Sequence, residues 1–120
     1  MSEKLTDFRQ LNVWQKAHKM VLDIYELTKK FPKEEKGELV SHLRKAAMEV
    51  PIKIAEGFMQ RNPRDKINSY KATLMALEEV KYYLLLSRDL DYFKNGDEIL
   101  ESTEEVGRML TGLVRSVRTK

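Results

Sequence analysis

The sequence predicts an all-α fold, an antiparallel up-down-up-down four-helix bundle with its second helix kinked at Pro51. Three observations lead there. Glycine and proline are sparse, at 5 and 3 of 120 residues, while the helix formers Lys, Glu, Leu, Met and Ala dominate. Apolar residues recur at steps of three and four in four separate segments. Those segments are separated by the breaker pairs Phe31-Pro32, Asn62-Pro63 and Asn95-Gly96. At 1.5 Å per residue, segments of about 20 to 28 residues are roughly 30 to 40 Å long, and short connections make neighbours antiparallel. Residues 1–10 read as a polar arm and residues 11–118 as the bundle.

The first helix is expected over about residues 12 to 30, with Asn12 as its cap and Gln15 completing a capping box. Trp14, Ala17, Val21, Ile24 and Thr28 form its apolar seam, with Tyr25 beside it. Phe31-Pro32 ends it, because the residue before a proline is pushed out of the α region. The second helix starts near Gly37 and carries Leu39, Leu43, Ala46, Ala47, Val50, Ile54 and Phe58 at helical spacing. Pro51 lies inside this pattern and removes the hydrogen bond to the Ala47 carbonyl. Because the apolar pattern continues past it, a kink is expected rather than a stop; two helices broken at Val50 is the alternative. In the third helix Asn62 caps and Pro63 takes the first position, where a missing N–H is harmless; the helix runs to about Leu90. Asn95-Gly96 then turns the chain, Asp97 caps the fourth helix, and Ile99, Thr103, Val106, Leu110, Leu113 and Val117 make a coiled-coil-like seam.

Composition limits the function classes. A chain of 120 residues, 42% hydrophobic and 34% charged, fits one core and argues against a two-domain enzyme. Cysteine is absent, which excludes disulfides, thiolate metal sites and a Cys nucleophile, and makes the cytoplasm the expected location. No apolar run approaches the roughly 20 residues of a membrane span, and Met1 to Gln10 is too polar for a signal peptide, so neither membrane insertion nor secretion is expected. A net charge of +3 and a pI near 9.1 permit an acidic partner without requiring one.

Motifs for chemistry are missing. A di-iron bundle needs Glu-x-x-His pairs, but His18 and His42 follow Gln15 and Leu39 at that spacing. A zinc site would have to borrow scattered carboxylates. No Arg is followed within a few residues by His, as in helical ribonucleases of the HEPN type, and Arg44 comes after His42. No serine sits in a Gly-x-Ser-x-Gly turn, and the glycines at 37, 57, 96, 107 and 112 are too isolated for a phosphate loop. The expectation is a non-enzymatic chain with no metal and no cofactor. Gly57 costs about 1 kcal/mol against Ala inside a helix, a penalty offset by close packing or by helix termination. Glu56 beside it reads either as a carboxylate paired with Arg44 or Lys53 or as a solvated charge.

Apolar surface is in surplus. From Val80 to Leu86 only Lys81 is polar, which at 100° per residue covers every face, and Val50 to Met59 is interrupted only by Lys53, Glu56 and Gly57. A homo-oligomer interface through Tyr82, Tyr83, Leu85, Leu86, Ile52, Phe58 and Met59 is expected; a wide ordinary core is the alternative. Tyrosine, an apolar ring with a polar tip, suits a partly wet interface.

Four pieces in order carry a family resemblance: Leu11-x-x-Trp14-x-x-Ala17, the Tyr25-x-x-Thr28-x-x-Phe31-Pro32 exit, Leu43-Arg44-x-Ala46-Ala47, and Val50-Pro51-x-x-Ile54-Ala55-Glu56-Gly57. Over about residues 5 to 118 the chain resembles the four-helix-bundle intervening-sequence proteins of 23S ribosomal RNA, and Leu90-Asp91-Tyr92-Phe93 is similar to that family's third-helix exit. It departs at Lys53, where the family usually has Asn, and at Glu49-Val50, where Ser-Ile is common. The resemblance implies an up-down bundle that assembles as a homopentamer, with no assigned catalytic residue. A related fold serves diversity-generating retroelements as a basic pentameric accessory protein that binds nucleic acid and a reverse transcriptase.

Two functions follow as expectations. One is an oligomeric adaptor for structured RNA, with Arg44, Lys45, Lys53, Arg61, Arg64 and Lys66 meeting phosphates around the kink and the turn at residues 60–64. The other is a protein-interaction scaffold whose charges only solvate it, or a reverse-transcriptase accessory protein without a ribosome role. The fourth helix is acidic at its start and basic at its end, which helix-dipole compensation explains without any ligand.

Overall fold

The computed structural model describes residues 5–94 and 97–119; the Asn95-Gly96 turn and the two chain ends lie outside the described residues. Four helices carry the fold: α1 (Asn12–Thr28), α2 (Leu39–Met59), α3 (Pro63–Asp89) and α4 (Asp97–Arg118). Short 3-10 turns at Phe8–Gln10 and Lys33–Glu35 precede α1 and α2. α1 packs on α2, α2 on α3, α3 on α4, and α4 closes back on α1, so α1 and α3 stand at opposite corners, as do α2 and α4. The envelope is 49 × 23 × 20 Å, longer than the roughly 40 Å of α3 because the connections extend past the helix ends.

The core takes one face from each helix. Ala17, Met20 and Ile24 of α1, Leu43, Ala47, Val50 and Ile54 of α2, Leu77, Val80 and Leu84 of α3, and Val106 and Leu110 of α4 are wholly or almost wholly buried. Polar groups inside this core are satisfied locally. Thr28 donates to the Ile24 carbonyl at 2.8 Å, Thr73 to Ser69 at 2.8 Å and Ser87 to Tyr83 at 2.7 Å, each along its own helix. Five seam members expected in the core, Trp14, Phe58, Ile99, Leu113 and Val117, are only half-buried, while Val13, Met20 and Val114 take core positions.

Boundaries differ from expectation at two starts and one exit. α1 is capped by the backbone of Leu11, and Asn12 lies inside the helix; Gln15 reaches back instead to the Arg9 carbonyl at 2.8 Å. The capping box sits earlier, where Asp7 accepts from the Arg9 amide and Gln10 accepts from the Asp7 amide. This turn holds Phe8 edge-on to Trp14 at 5.2 Å, so the described part of the polar arm packs on the bundle. α1 ends at Thr28 rather than Lys30, and Asp97 is the first residue of α4 rather than its cap. α2 is a single helix with Pro51 inside it. Asn62 caps α3 as expected, accepting from the Arg64 amide at 2.8 Å with Pro63 next to it.

Candidate nucleic-acid interface and apolar contact face

The turn between α2 and α3 is fixed by three residues. A Cβ on Gly57 would lie 2.6 Å from Tyr70 Cε1 and 3.1 Å from Ser69 Cβ, so only glycine lets the two helices cross this closely. Lys66 donates to the Gly57 and Phe58 carbonyls, each at 2.9 Å, and its ammonium lies over the Phe58 and Tyr70 rings. A cation on the last carbonyls of α2 satisfies orphan acceptors and opposes the negative end of the helix dipole. Burial pushes the Tyr70 hydroxyl pKa above its usual value.

The six basic residues expected to meet phosphates do not form one patch. Lys66 is engaged as an α2 cap. Arg44 is engaged at the end of α1: its Nε donates to Thr28 Oγ1 at 2.9 Å, a terminal nitrogen reaches the Tyr25 carbonyl at 3.3 Å, and the guanidinium stacks 4.3 Å from the Tyr25 ring centre. Lys53 pairs with Glu49 at 3.4 Å. Lys45 is exposed but stands about 20 Å up α2 from the turn. Arg61 and Arg64 remain at the turn, both exposed, with no side-chain hydrogen bond or ion pair among the described residues. Glu56 is exposed and pairs with neither Arg44 nor Lys53.

Two residues missed as candidates join them. Because α4 runs antiparallel to α3, its basic last turn brings Arg115 and Arg118 to the end of the bundle that holds Arg61 and Arg64. The signal is present in the sequence, but dipole compensation explains it until the topology places it beside the turn. Arg9 also lies toward this end, but its guanidinium is paired with Asp7 and holds that carboxyl down to about 2. Toward the opposite end, α4 contributes Asp97, Glu98, Glu101, Glu104 and Glu105, partly balanced by Lys81 on Glu104 at 2.9 Å and Lys16 on Glu105 at 3.3 Å. The hydrogen bond from Lys81 holds the Glu104 carboxyl below the usual range and raises the Lys81 ammonium. α4 itself is therefore polarised along its length, basic beside the α2–α3 turn and acidic at its start, while the bundle end that holds its acids also carries Lys29, Lys30, Lys33, Lys36 and Arg88, and the turn carries Asp65.

Exposed apolar side chains are polarised across the bundle instead. Leu22, Met48, Ile52, Met59, Met75, Tyr82 and Leu85 are all exposed, and no large exposed hydrophobic lies on α4. Of the residues expected at an oligomer interface, Tyr82, Leu85, Ile52 and Met59 project outward. Tyr83, Leu86 and Phe58 are half-buried; Tyr83 and Leu86 pack on the core, and Tyr83 also stacks on His42 of α2 at 6.1 Å. Between α1 and α2 runs a groove floored by Val21 and Pro51 and flanked by Trp14, Met48, Ile52 and Ala55, with Glu56 and His18 on its rim. His18 stacks on Trp14 with ring centres 5.0 Å apart. Among the described residues no cluster of potential metal ligands occurs, and no helix is long and apolar enough to cross a membrane.

Comparison with known proteins agrees with this architecture. A family model described as 23S rRNA-intervening sequence protein matches residues 9–112. A solved structure from the S23 ribosomal protein family of Bacteroides thetaiotaomicron, a protein of unknown function, superposes with a TM-score of 0.78. The two chains are 20% identical over 86% of this chain and 95% of that one, a likeness that shows the fold alone. No curated protein matches the sequence.

Proposed function

This chain belongs to the family of 23S rRNA-intervening sequence proteins, and from that premise we propose that it is a non-enzymatic, homo-oligomeric cytoplasmic adaptor whose basic end binds structured RNA. The observation that carries the reading is the convergence of arginines at one end of the bundle. Arg61 and Arg64 from one turn and Arg115 and Arg118 from another helix end share one end of the molecule, away from the acids of α4. A backbone of phosphates rewards such a set with counterion release and needs no base-specific contact. Oligomerisation repeats the modest set, and multivalent contact raises avidity without a stronger single site. The apolar surface around α2 supports the oligomer, because contiguous exposed apolar side chains mark contact sites.

Fluorescence anisotropy with a labelled RNA hairpin tests the reading. Unaltered protein binds at low salt and loses affinity steeply as salt rises. Replacing Arg61 and Arg64 together by Gln lowers the affinity and reduces the salt slope by about 1 for each phosphate that is no longer neutralised, with helicity unchanged; the Arg115, Arg118 pair behaves alike. Lys66 is left alone because its replacement would uncap α2. Absence of RNA binding at low salt overturns the adaptor reading. The apolar α1–α2 groove favours a second reading, a scaffold that docks a protein such as a reverse transcriptase, and that outcome would leave it standing.

A further inference from the structure

The outer surface of α3 and the α1–α2 groove match in apolar chemistry, charge and height. The α3 surface is a ridge: Met75 is 74% exposed and Tyr82 60% exposed, and they lie two turns apart on one outward stripe that begins at Lys71. The groove presents apolar walls, with Ile52 48% exposed at its lip and Glu56 at the lower rim. Glu56 and Lys71 are both exposed, and neither has an ion pair or hydrogen bond among the described residues. A methionine and a tyrosine on a ridge are the side-chain types that interface cores favour.

Height decides the register. Within one chain, Gly57 of α2 packs on Ser69 and Tyr70 of α3, and His42 stacks on Tyr83. These two contacts put Glu56 level with Lys71 and Ile52 level with Met75. Rotation about an axis parallel to the bundle leaves every residue at its own height, so a ring of parallel copies would bring those same pairs face to face between chains. The groove and the ridge are different surfaces of a four-cornered bundle, and a head-to-tail contact between two such surfaces generates a closed ring when the rotation between copies divides a full turn.

We propose that the α3 ridge of one copy, led by Met75 and Tyr82, seats in the α1–α2 groove of the next copy, with Lys71 opposite Glu56. The proposal rests on the oligomeric reading above and specifies the contact that builds it. It also assigns Glu56 a partner that none of the described residues of its own chain supplies.

The chain contains no cysteine, which makes site-directed cross-linking clean. Chains carrying Ile52→Cys and Met75→Cys, differently tagged and co-expressed, are treated with a short bismaleimide. A mixed dimer containing one chain of each type is expected, while neither variant alone cross-links. Exchanging the charges gives a second measurement: Glu56→Lys or Lys71→Glu alone weakens assembly at least tenfold by light scattering, and the two together restore it, with helicity constant throughout. If unaltered protein has a mass that is a multiple of 14.1 kDa yet no mixed cross-link forms, or a single variant links to itself, this contact is wrong and the oligomer stands. A mass of 14.1 kDa for unaltered protein overturns both.

Discussion

Gly57 sets the spacing of two helices by lacking one methyl group. Replacing it with Ala raises intrinsic helix propensity by about 1 kcal/mol. The new Cβ would stand 2.6 Å from Tyr70 Cε1 and 2.9 Å from Cδ1, against a ring held almost wholly inside the core. Overpacking of that kind costs about 1–3 kcal/mol, so Gly57→Ala is expected to lower stability in urea unfolding despite the propensity gain. An unchanged or higher midpoint would mean the helices separate freely there. Lys66→Met keeps the stem but removes the ammonium from two carbonyls, and a loss of about 1 kcal/mol is expected by the same assay. The sequence marks Gly57 as a penalty needing close packing, whereas Lys66 and Arg44 read there as phosphate ligands. Their contacts lie across a turn or between helices, at separations of 8 to 19 residues, where no helical periodicity can signal them.

At the scale of elements, the connections do as much as the seams. Tyr92, just after α3, donates to Glu35 in the 3-10 turn before α2 at 2.5 Å, and its ring lies 5.3 Å from that of Phe31. The bond to the Glu35 carboxylate, with desolvation added, raises the Tyr92 pKa above 10.0. A group whose folded pKa is raised contributes stability that is complete below its unfolded value and is lost as pH rises through the folded one. Stability of the unaltered protein is therefore expected to fall above pH 10 more steeply than that of Tyr92→Phe, read as the difference between their unfolding free energies across that range. Parallel curves would show the bond contributes nothing. Pro51 gives a second test. It lies inside an unbroken α2 and in the floor of the apolar groove. Pro51→Ala returns an amide to the helix, so circular dichroism should report equal or greater helicity, while the changed groove alters assembly. A large loss of helix would mean that the proline sets the local helix geometry by itself. The four helices and the Asn62 cap are legible in the sequence because breakers and apolar steps are local signals. The start of α1 is less so, because Asp7 and Gln10 form their capping box upstream and leave Asn12 inside the helix.

For the whole molecule, the architecture is legible in the sequence and the surface only half so. Composition and three breaker pairs dictate four helices with short connections, and four such helices have few ways to pack. Which outward apolar residues stay exposed depends on which neighbours flank each helix. That is why Tyr82 and Tyr83, adjacent in sequence, end up respectively exposed and stacked on His42. The basic cluster at the α2–α3 turn is hidden for the same reason, since it emerges only when α4 is laid antiparallel to α3. It carries a consequence that distinguishes assembly geometries. In a ring of parallel copies, Arg61, Arg64, Arg115 and Arg118 of every chain crowd one rim and repel, and the acids of α4 repel toward the other. Exposed charges separated by more than about 8 Å are largely screened at physiological ionic strength. Raising salt relieves that repulsion but also screens the Lys71–Glu56 pair, so a chain carrying Glu56→Gln and Lys71→Gln isolates the rim: its ring should tighten with salt while RNA loosens. Sedimentation across a salt series without RNA measures the first, and anisotropy over the same series measures the second. An antiparallel pair would instead set basic ends against acidic ones, and salt would weaken it. Assembly of that doubly substituted chain that loosens as salt rises would rule out the parallel ring, and with it the shared basic rim on which the proposed RNA binding depends.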